Sequence, residues 1–281
     1  MIPADFFALD EHTVLALDGP EALVFAQAQF ANDVAALSPG QWQWNAWLNA
    51  KGRVIAVFAL LRCGDALRLV LPDHDVSGLG DALRRFVFRR KVTVTPRPDL
   101  HVAGAFAASA TASGARLAGD EGAGLELDYG APALPRTLRL GPVAAPADPA
   151  AREAWAVADL RLGLPRLPVS QREQWTPQQL ALDRLRAYSV KKGCYPGQEI
   201  VARTHFLGKA KREPLLVHVP AAVEAGAEVR QSGRAIGHVA SVAGSAPRLA
   251  LAVLPLDRGD APLEVAGVAA PVEPFVEGLA R

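Results

Sequence analysis

Trp42-Gln43-Trp44-Asn45-Ala46-Trp47-Leu48-Asn49-Ala50-Lys51-Gly52-Arg53-Val54-Ile55-Ala56-Val57-Phe58-Ala59-Leu60-Leu61 holds two β-rich runs around a short link. Asn49-Ala50-Lys51-Gly52 has the length and composition of a hairpin connection, so the runs Trp42 to Leu48 and Val54 to Leu61 are expected to pair. Period-two alternation puts Trp42 and Trp44 on one face of the first strand and Trp47 on the other. Core packing is the commoner use of such indoles, and a stack on a flat ligand the rarer one. Upstream, the apolar run Val14 to Leu17 closes at Asp18-Gly19. Pro20 then suits the start of a helix over 20–31, with Leu23, Ala26 and Phe30 at helical spacing. Downstream come a strand from Leu67 to Leu71, a helix over 75–90 and a strand from Val92 to Thr95. This order predicts an α+β sheet with helices on one face rather than a doubly wound fold.

Residues 96–150 are rich in small side chains that blunt periodicity, with strand signals only at Val102 to Phe106 and Leu125 to Leu127. The stretches 107–124 and 141–151 read as surface loops. A helix is expected from Asp148 to Leu162. Thr176-Pro177 is a good N-cap and first-turn pair for another, carrying Ala181, Leu185 and Tyr188 on one side. A further short helix is expected from Gln198 to Phe206. From Glu213 onward five short strands follow at close intervals, the pattern of a small β-barrel or sandwich. The domain boundary is placed near 210, giving modules 1–209 and 210–281.

The chain has 281 residues, half of them hydrophobic, and a net charge of +1. That balance makes no general electrostatic case for a nucleic-acid or membrane partner. No apolar run reaches the roughly 18 residues needed to span a bilayer. Met1-Ile2-Pro3-Ala4-Asp5 lacks the basic start of a signal peptide. Cys63 and Cys194 are the only cysteines, so one chain builds no disulfide framework or four-cysteine metal site, and a cytoplasmic setting is expected. The six histidines show no paired metal spacing. Cys63, ending an apolar strand, reads as an inert thiol.

The segment richest in chemistry is Lys191-Lys192-Gly193-Cys194-Tyr195-Pro196-Gly197-Gln198-Glu199. Gly193 and Gly197 let the backbone turn sharply and approach a ligand. Neighbouring cations favour a thiolate at Cys194, and a helix opening at Gln198 would add to the positive field. On these residues alone, a basic loop with a buried cysteine is as good a reading as a functional thiol.

Lys192-Gly193-Cys194-Tyr195-Pro196-Gly197-Gln198-Glu199 resembles the K-G-C-[FY]-x-G-Q-E signature of the YgfZ-type folate-binding proteins, relatives of the glycine cleavage T-protein (aminomethyltransferase). The resemblance extends upstream through Gly163-Leu164-Pro165 and Thr176-Pro177-Gln178. Downstream it continues through Ile200-Val201-Ala202-Arg203 and Phe206-Leu207-Gly208-Lys209-Ala210-Lys211-Arg212. It reappears at Phe30-Ala31-Asn32-Asp33-Val34 and Leu48-Asn49-Ala50-Lys51-Gly52-Arg53-Val54. The resemblance covers roughly residues 10–255, with nothing matched over 96–150.

The resemblance implies two α+β subdomains and a C-terminal β-barrel around a central channel that binds tetrahydrofolate. It also implies a helper role in iron–sulfur cluster assembly or repair, and through it tRNA modification, rather than an ordinary metabolic enzyme. The implied partners are folate and iron–sulfur enzymes or assembly proteins, with a transient cluster contact, no membrane and no direct nucleic-acid binding. Cys194 is the expected functional thiol. Lys192, Gly193, Tyr195, Gly197, Gln198, Glu199, Arg203, Asn32, Asp33 and Asp159 are the expected cofactor-binding residues.

Two departures bear on chemistry. The T-protein relatives carry paired aspartates after the hairpin turn, where this chain has Ala56 and Val57 and no carboxylate between Lys51 and Arg62. A folate-dependent aminomethyl or one-carbon transferase is therefore the alternative reading, not the first. Many family members also place a pterin-binding glutamate at the position of Arg161, with Asp159 or Glu199 as the substitutes available here. Arg84-Arg85-Phe86-Val87-Phe88-Arg89-Arg90-Lys91 is the densest basic cluster, read as an amphipathic helix with Phe86 inward rather than as an RNA or polyglutamate face.

Overall fold

The hairpin forms as the sequence predicts: strand Gln41–Leu48 pairs antiparallel with Val54–Cys63, Trp42 opposite Leu61. The computed structural model describes residues 5–208, 210–246 and 248–281, so readings that rest on residues 1–4 and 209 lie outside the described residues. The hairpin belongs to a five-stranded antiparallel sheet in the order Gln41–Leu48, Val54–Cys63, Ala66–Pro72, His12–Asp18, Thr93–Pro96. Helices α1 (Ala22–Gln29) and α2 (Val76–Arg84) cover one face. There Phe25, Phe30, Trp47, Phe58, Leu60 and Leu83 share a core. On the other face Trp42, Trp44 and Val57 pack into a second core with Leu127, Leu138 and Trp155. A sheet buried on both faces needs apolar side chains on both, which is why Val54–Cys63 reads as a run and not an alternation.

The second sheet has the order Phe7–Ala8, His101–Ala105, Thr137–Gly141, Gly124–Asp128, Ala118–Asp120. Helix α3 (Pro149–Arg161) begins at Asp148, whose carboxylate accepts from the Ala151 amide as an N-cap should. Its Leu160 packs with Leu216, Leu249 and Leu251 of the C-terminal sheet. That third sheet has seven strands, with Arg212–Val219, Arg248–Pro255 and Arg234–Ala243 adjacent, and it curls into a half-barrel. The fold class is α+β, as expected.

Three expectations are corrected. No helix follows Thr176-Pro177; residues 177–186 form successive turns, because Ala181 and Arg186 take left-handed backbone angles, φ 48° and 54°, that end any helical run. Leu182 and Leu185 are still buried there. The helix expected over 75–90 stops at Arg84; Phe88 sits at φ 49° and is 88% exposed, and Phe86 lies half outside, edge-on to Trp47. Within the loop expected over 107–124, Ala118–Asp120 forms a short strand paired with Gly124–Asp128.

Candidate functional site

The signature segment is a loop clamped between α1, the hairpin turn and helix α4 (Gln198–Phe206). Gly197, at φ 78°, leads into α4; a Cβ there would lie 2.5 Å from the Asn49 carbonyl oxygen and 2.6 Å from Gly52 Cα. Only glycine lets the loop sit this close to the hairpin turn. Lys192 points inward: its Nζ donates to the carbonyls of Gln27 and Phe30, both at 2.5 Å, and of Asn32 at 3.1 Å. It thereby satisfies carbonyls at and beyond the C-terminus of α1 that lack helical partners. Burial lowers its pKa to about 8, against the pull of Asp33.

Its neighbours are tied as well. Gln198 Nε2 donates to the Lys192 carbonyl and the Tyr195 hydroxyl to that of Ser189. Asn32 donates to the carbonyls of Trp44 and Arg186, while its amide is held by Asn45 Oδ1. Asp33 accepts from Gln27 Nε2. Cys194, in contrast, is exposed and free, with Gly193, Glu199 and Arg203 exposed beside it. Cys63 is the opposite case: half-buried, its thiol pushed up to about 11 by burial and by Glu121.

Asp159 lies elsewhere, on the last turn of α3 and fully buried. Arg136 Nη1 donates to its Oδ1 at 2.7 Å, and Arg166 Nη1 stands 3.7 Å from its Oδ2. Arg166 in turn grips Asp73 with two bonds of 2.6 Å. The Arg136 guanidinium stacks 4.3 Å from the Trp155 ring centroid and 5.3 Å from that of Tyr129. Burial raises the Asp159 carboxyl, opposed by Arg136 and Arg166. It also drives His12 well below the usual histidine range, with Arg166 and Arg136 adding to the effect.

Asp159 Oδ2, Arg136 Nε and Nη2, Arg166 Nη1, the Tyr129 hydroxyl, Trp155 Nε1 and both His12 nitrogens are buried without a hydrogen bond. Each such group costs about 1–3 kcal/mol if left unsatisfied. So many in one place call for polar partners offering both donors and acceptors, whether ordered water or a bound group.

No hydrogen bond or ion pair among the described residues joins the signature loop to this buried polar cluster. Strand Gln41–Leu48 lies between them: Trp44 packs its ring 5.0 Å from Tyr129 and gives its carbonyl to Asn32. Arg161 is not part of this cluster; it pairs with Glu273 of the C-terminal sheet at 2.9 Å. Sequence reasoning missed Arg136, Arg166, Tyr129 and His12, which come from a poorly patterned stretch, a loop and a strand end. Ala56 and Val57 are buried core residues on opposite faces of their strand. No group of three or more His, Cys, Asp or Glu side chains that could hold a metal occurs among the described residues.

No family model matches the chain. Among curated proteins, an uncharacterised protein of Haemophilus influenzae is 29% identical over 225 residues, 79% of this chain and 76% of that protein. The tRNA-modifying protein YgfZ of Cronobacter sakazakii is 29% identical and that of Yersinia pseudotuberculosis 27% identical, each over 234 residues, 75% of this chain and 70% of the relative. In fold, the chain matches the crystal structure of glycine cleavage system aminomethyltransferase T from Bartonella henselae with a TM-score of 0.76. That match has 15% identity and covers 96% of this chain and 84% of the other. The chain is YgfZ-like in sequence and T-protein-like in fold.

Proposed function

We propose that this chain is a tetrahydrofolate-binding protein of the YgfZ type, in which a pterin is held at the buried polar cluster around Asp159 and Cys194 is presented to a partner. The observation that carries the reading is that Asp159 Oδ2, Arg166 Nη1 3.7 Å from it, and Arg136 Nε and Nη2 are all buried without a hydrogen bond. A pterin edge carries N–H donors that suit a carboxylate and a carbonyl oxygen that suits a guanidinium. When bound, tetrahydrofolate supplies a reduced ring that carries one-carbon units. Asp159 would accept from the ring, Arg136 and Arg166 would donate to it, and Tyr129 and Trp155 would exclude water. The relatives' names and the T-protein fold support this choice of ligand.

Cys194 takes the second role. Its loop is fixed by Lys192, Tyr195, Gly197 and Gln198, so the thiol is offered outward at a defined place. One thiolate cannot hold a [4Fe–4S] cluster, whose usual ligands number four, so any cluster stays ligated mainly by the partner. The role in tRNA modification is then indirect, through an iron–sulfur enzyme, in a cytoplasmic setting. No described helix is long and apolar enough to cross a membrane. The aminomethyltransferase alternative is disfavoured because apolar core residues, Ala56 and Val57, fill the positions that need carboxylates.

Calorimetric titration with tetrahydrofolate and 5-formyl-tetrahydrofolate, on wild type and Cys194→Ser, tests the reading. Saturable binding by both proteins is expected. Binding by neither removes folate as the ligand, and turnover at ordinary enzyme rates with glycine-cleavage partners would favour the transferase.

A further inference from the structure

Helix α4 is poorly covered for an element of a folded domain. Of its nine residues only Val201 is buried. Ile200, Phe206 and the adjoining Leu207 are 38%, 66% and 84% exposed. Ile200, Arg203, Thr204 and Leu207 follow the i, i+3, i+4, i+7 spacing of one helix face. Large apolar side chains grouped on one short element beside an exposed thiol mark an interaction surface more than chance exposure does.

The charge around this face is also unusual. Of the chain's six lysines, Lys191 lies in the signature segment, Lys51 in the hairpin turn it sits on and Lys211 just after α4. Gly52, next to Lys51, lies against Ile200 and Gly197, so the hairpin turn borders α4 directly. Lys51, Lys191, Arg203 and Lys211 are exposed. Among the described residues every ion pair is made by an arginine or a histidine, and none of these four takes part in one. Exposed charges without local partners act at a distance, raising encounter rates with oppositely charged surfaces.

We infer that α4, the hairpin turn and the Cys194 loop form a docking face for an acidic, amphipathic segment of a partner protein. Apolar side chains of the partner cover Ile200, Phe206 and Leu207, and its carboxylates meet Lys51, Lys191 and Arg203. Nucleic acid fits this surface less well, because RNA-binding faces are more polar and strongly positive overall, whereas here the exposed centre is apolar and the chain is near neutral. The inference goes beyond folate binding and builds on the reading of Cys194 as a thiol offered to a protein.

The test uses anisotropy of a fluorescein-labelled peptide of Glu-Leu-Glu-Glu-Phe repeats, a counterpart with Ser for Leu and Phe, and unfractionated tRNA as competitor. Wild-type protein is expected to bind the first peptide and to bind the Ser counterpart at least about tenfold more weakly. Lys51→Glu with Lys191→Glu, and separately Phe206→Ser with Leu207→Ser, are each expected to weaken the first peptide by at least about tenfold. Tetrahydrofolate titrations of the same variants should match wild type, so failure of docking and failure of folate binding are read separately. No peptide binding, equal binding by all variants, or displacement by tRNA at equal charge concentration would each overturn the inference.

Discussion

The Asp159 carboxylate and the Arg136 guanidinium meet at 2.7 Å with neither side chain reaching solvent. An ion pair taken out of water persists only where other contacts complete it, and removing one partner costs about 3–5 kcal/mol. Arg136→Met is therefore expected to lower unfolding stability by about that amount in urea titrations. The double variant Arg136→Met with Asp159→Leu should recover much of the loss, because no lone charge is left behind. An Arg136→Met protein with an unchanged urea midpoint would contradict the pairing.

Asp159→Asn tests the buried cluster as a ligand site while nearly keeping shape. The amide still accepts from Arg136 but no longer offers a charged acceptor at its second position. Tetrahydrofolate affinity should fall at least about tenfold, the loss of one charge-assisted hydrogen bond. Calorimetry measures it, and unchanged affinity would move the pterin away from Asp159.

Lys192 gives the fold a signed pH dependence. Its pKa is lowered from 10.5 to about 8 by burial. Between those values the unfolded chain binds more protons than the folded one, so this group's contribution to stability rises with pH through that window and is flat below it. Lys192→Met lacks the slope. Urea unfolding near pH 7 and pH 9.5 should show the wild-type advantage over the variant growing at the higher pH; an advantage that shrinks there would refute the assignment.

Gly197→Ala should unseat the signature loop. The added Cβ meets backbone atoms of Asn49 and Gly52 at 2.5–2.7 Å, and the left-handed φ adds strain. The loss should exceed the roughly 1 kcal/mol of a strain-free glycine effect. Proteolytic cleavage within residues 186–199 should accelerate in the variant and stay slow in wild type.

Much of this was readable from residues. The hairpin turn, the opposed faces of Trp42 and Trp47, and a helix between Asp148 and Leu162 all follow from local chemistry that tertiary packing did not override. The absent helix after Thr176 was not readable, since Ala181 and Arg186 are ordinary helix formers, yet both take left-handed angles beside the buried Leu182 and Leu185. Nor was the direction of Lys192: a lysine before a glycine carries the same local signal whether it faces water or three carbonyls. The signature located Cys194, but the buried polar cluster draws on Arg136, His12 and Arg166 from three separate segments, and no spacing rule links them.

The most direct test of the account is a crystal structure of the protein with 5-formyl-tetrahydrofolate. The account predicts the pteridine edge on Asp159 with Arg136 or Arg166 on its carbonyl oxygen, and Cys194 still exposed away from it. A pteridine bound at the signature loop, with the Asp159–Arg136 pair undisturbed and unvisited, would contradict it.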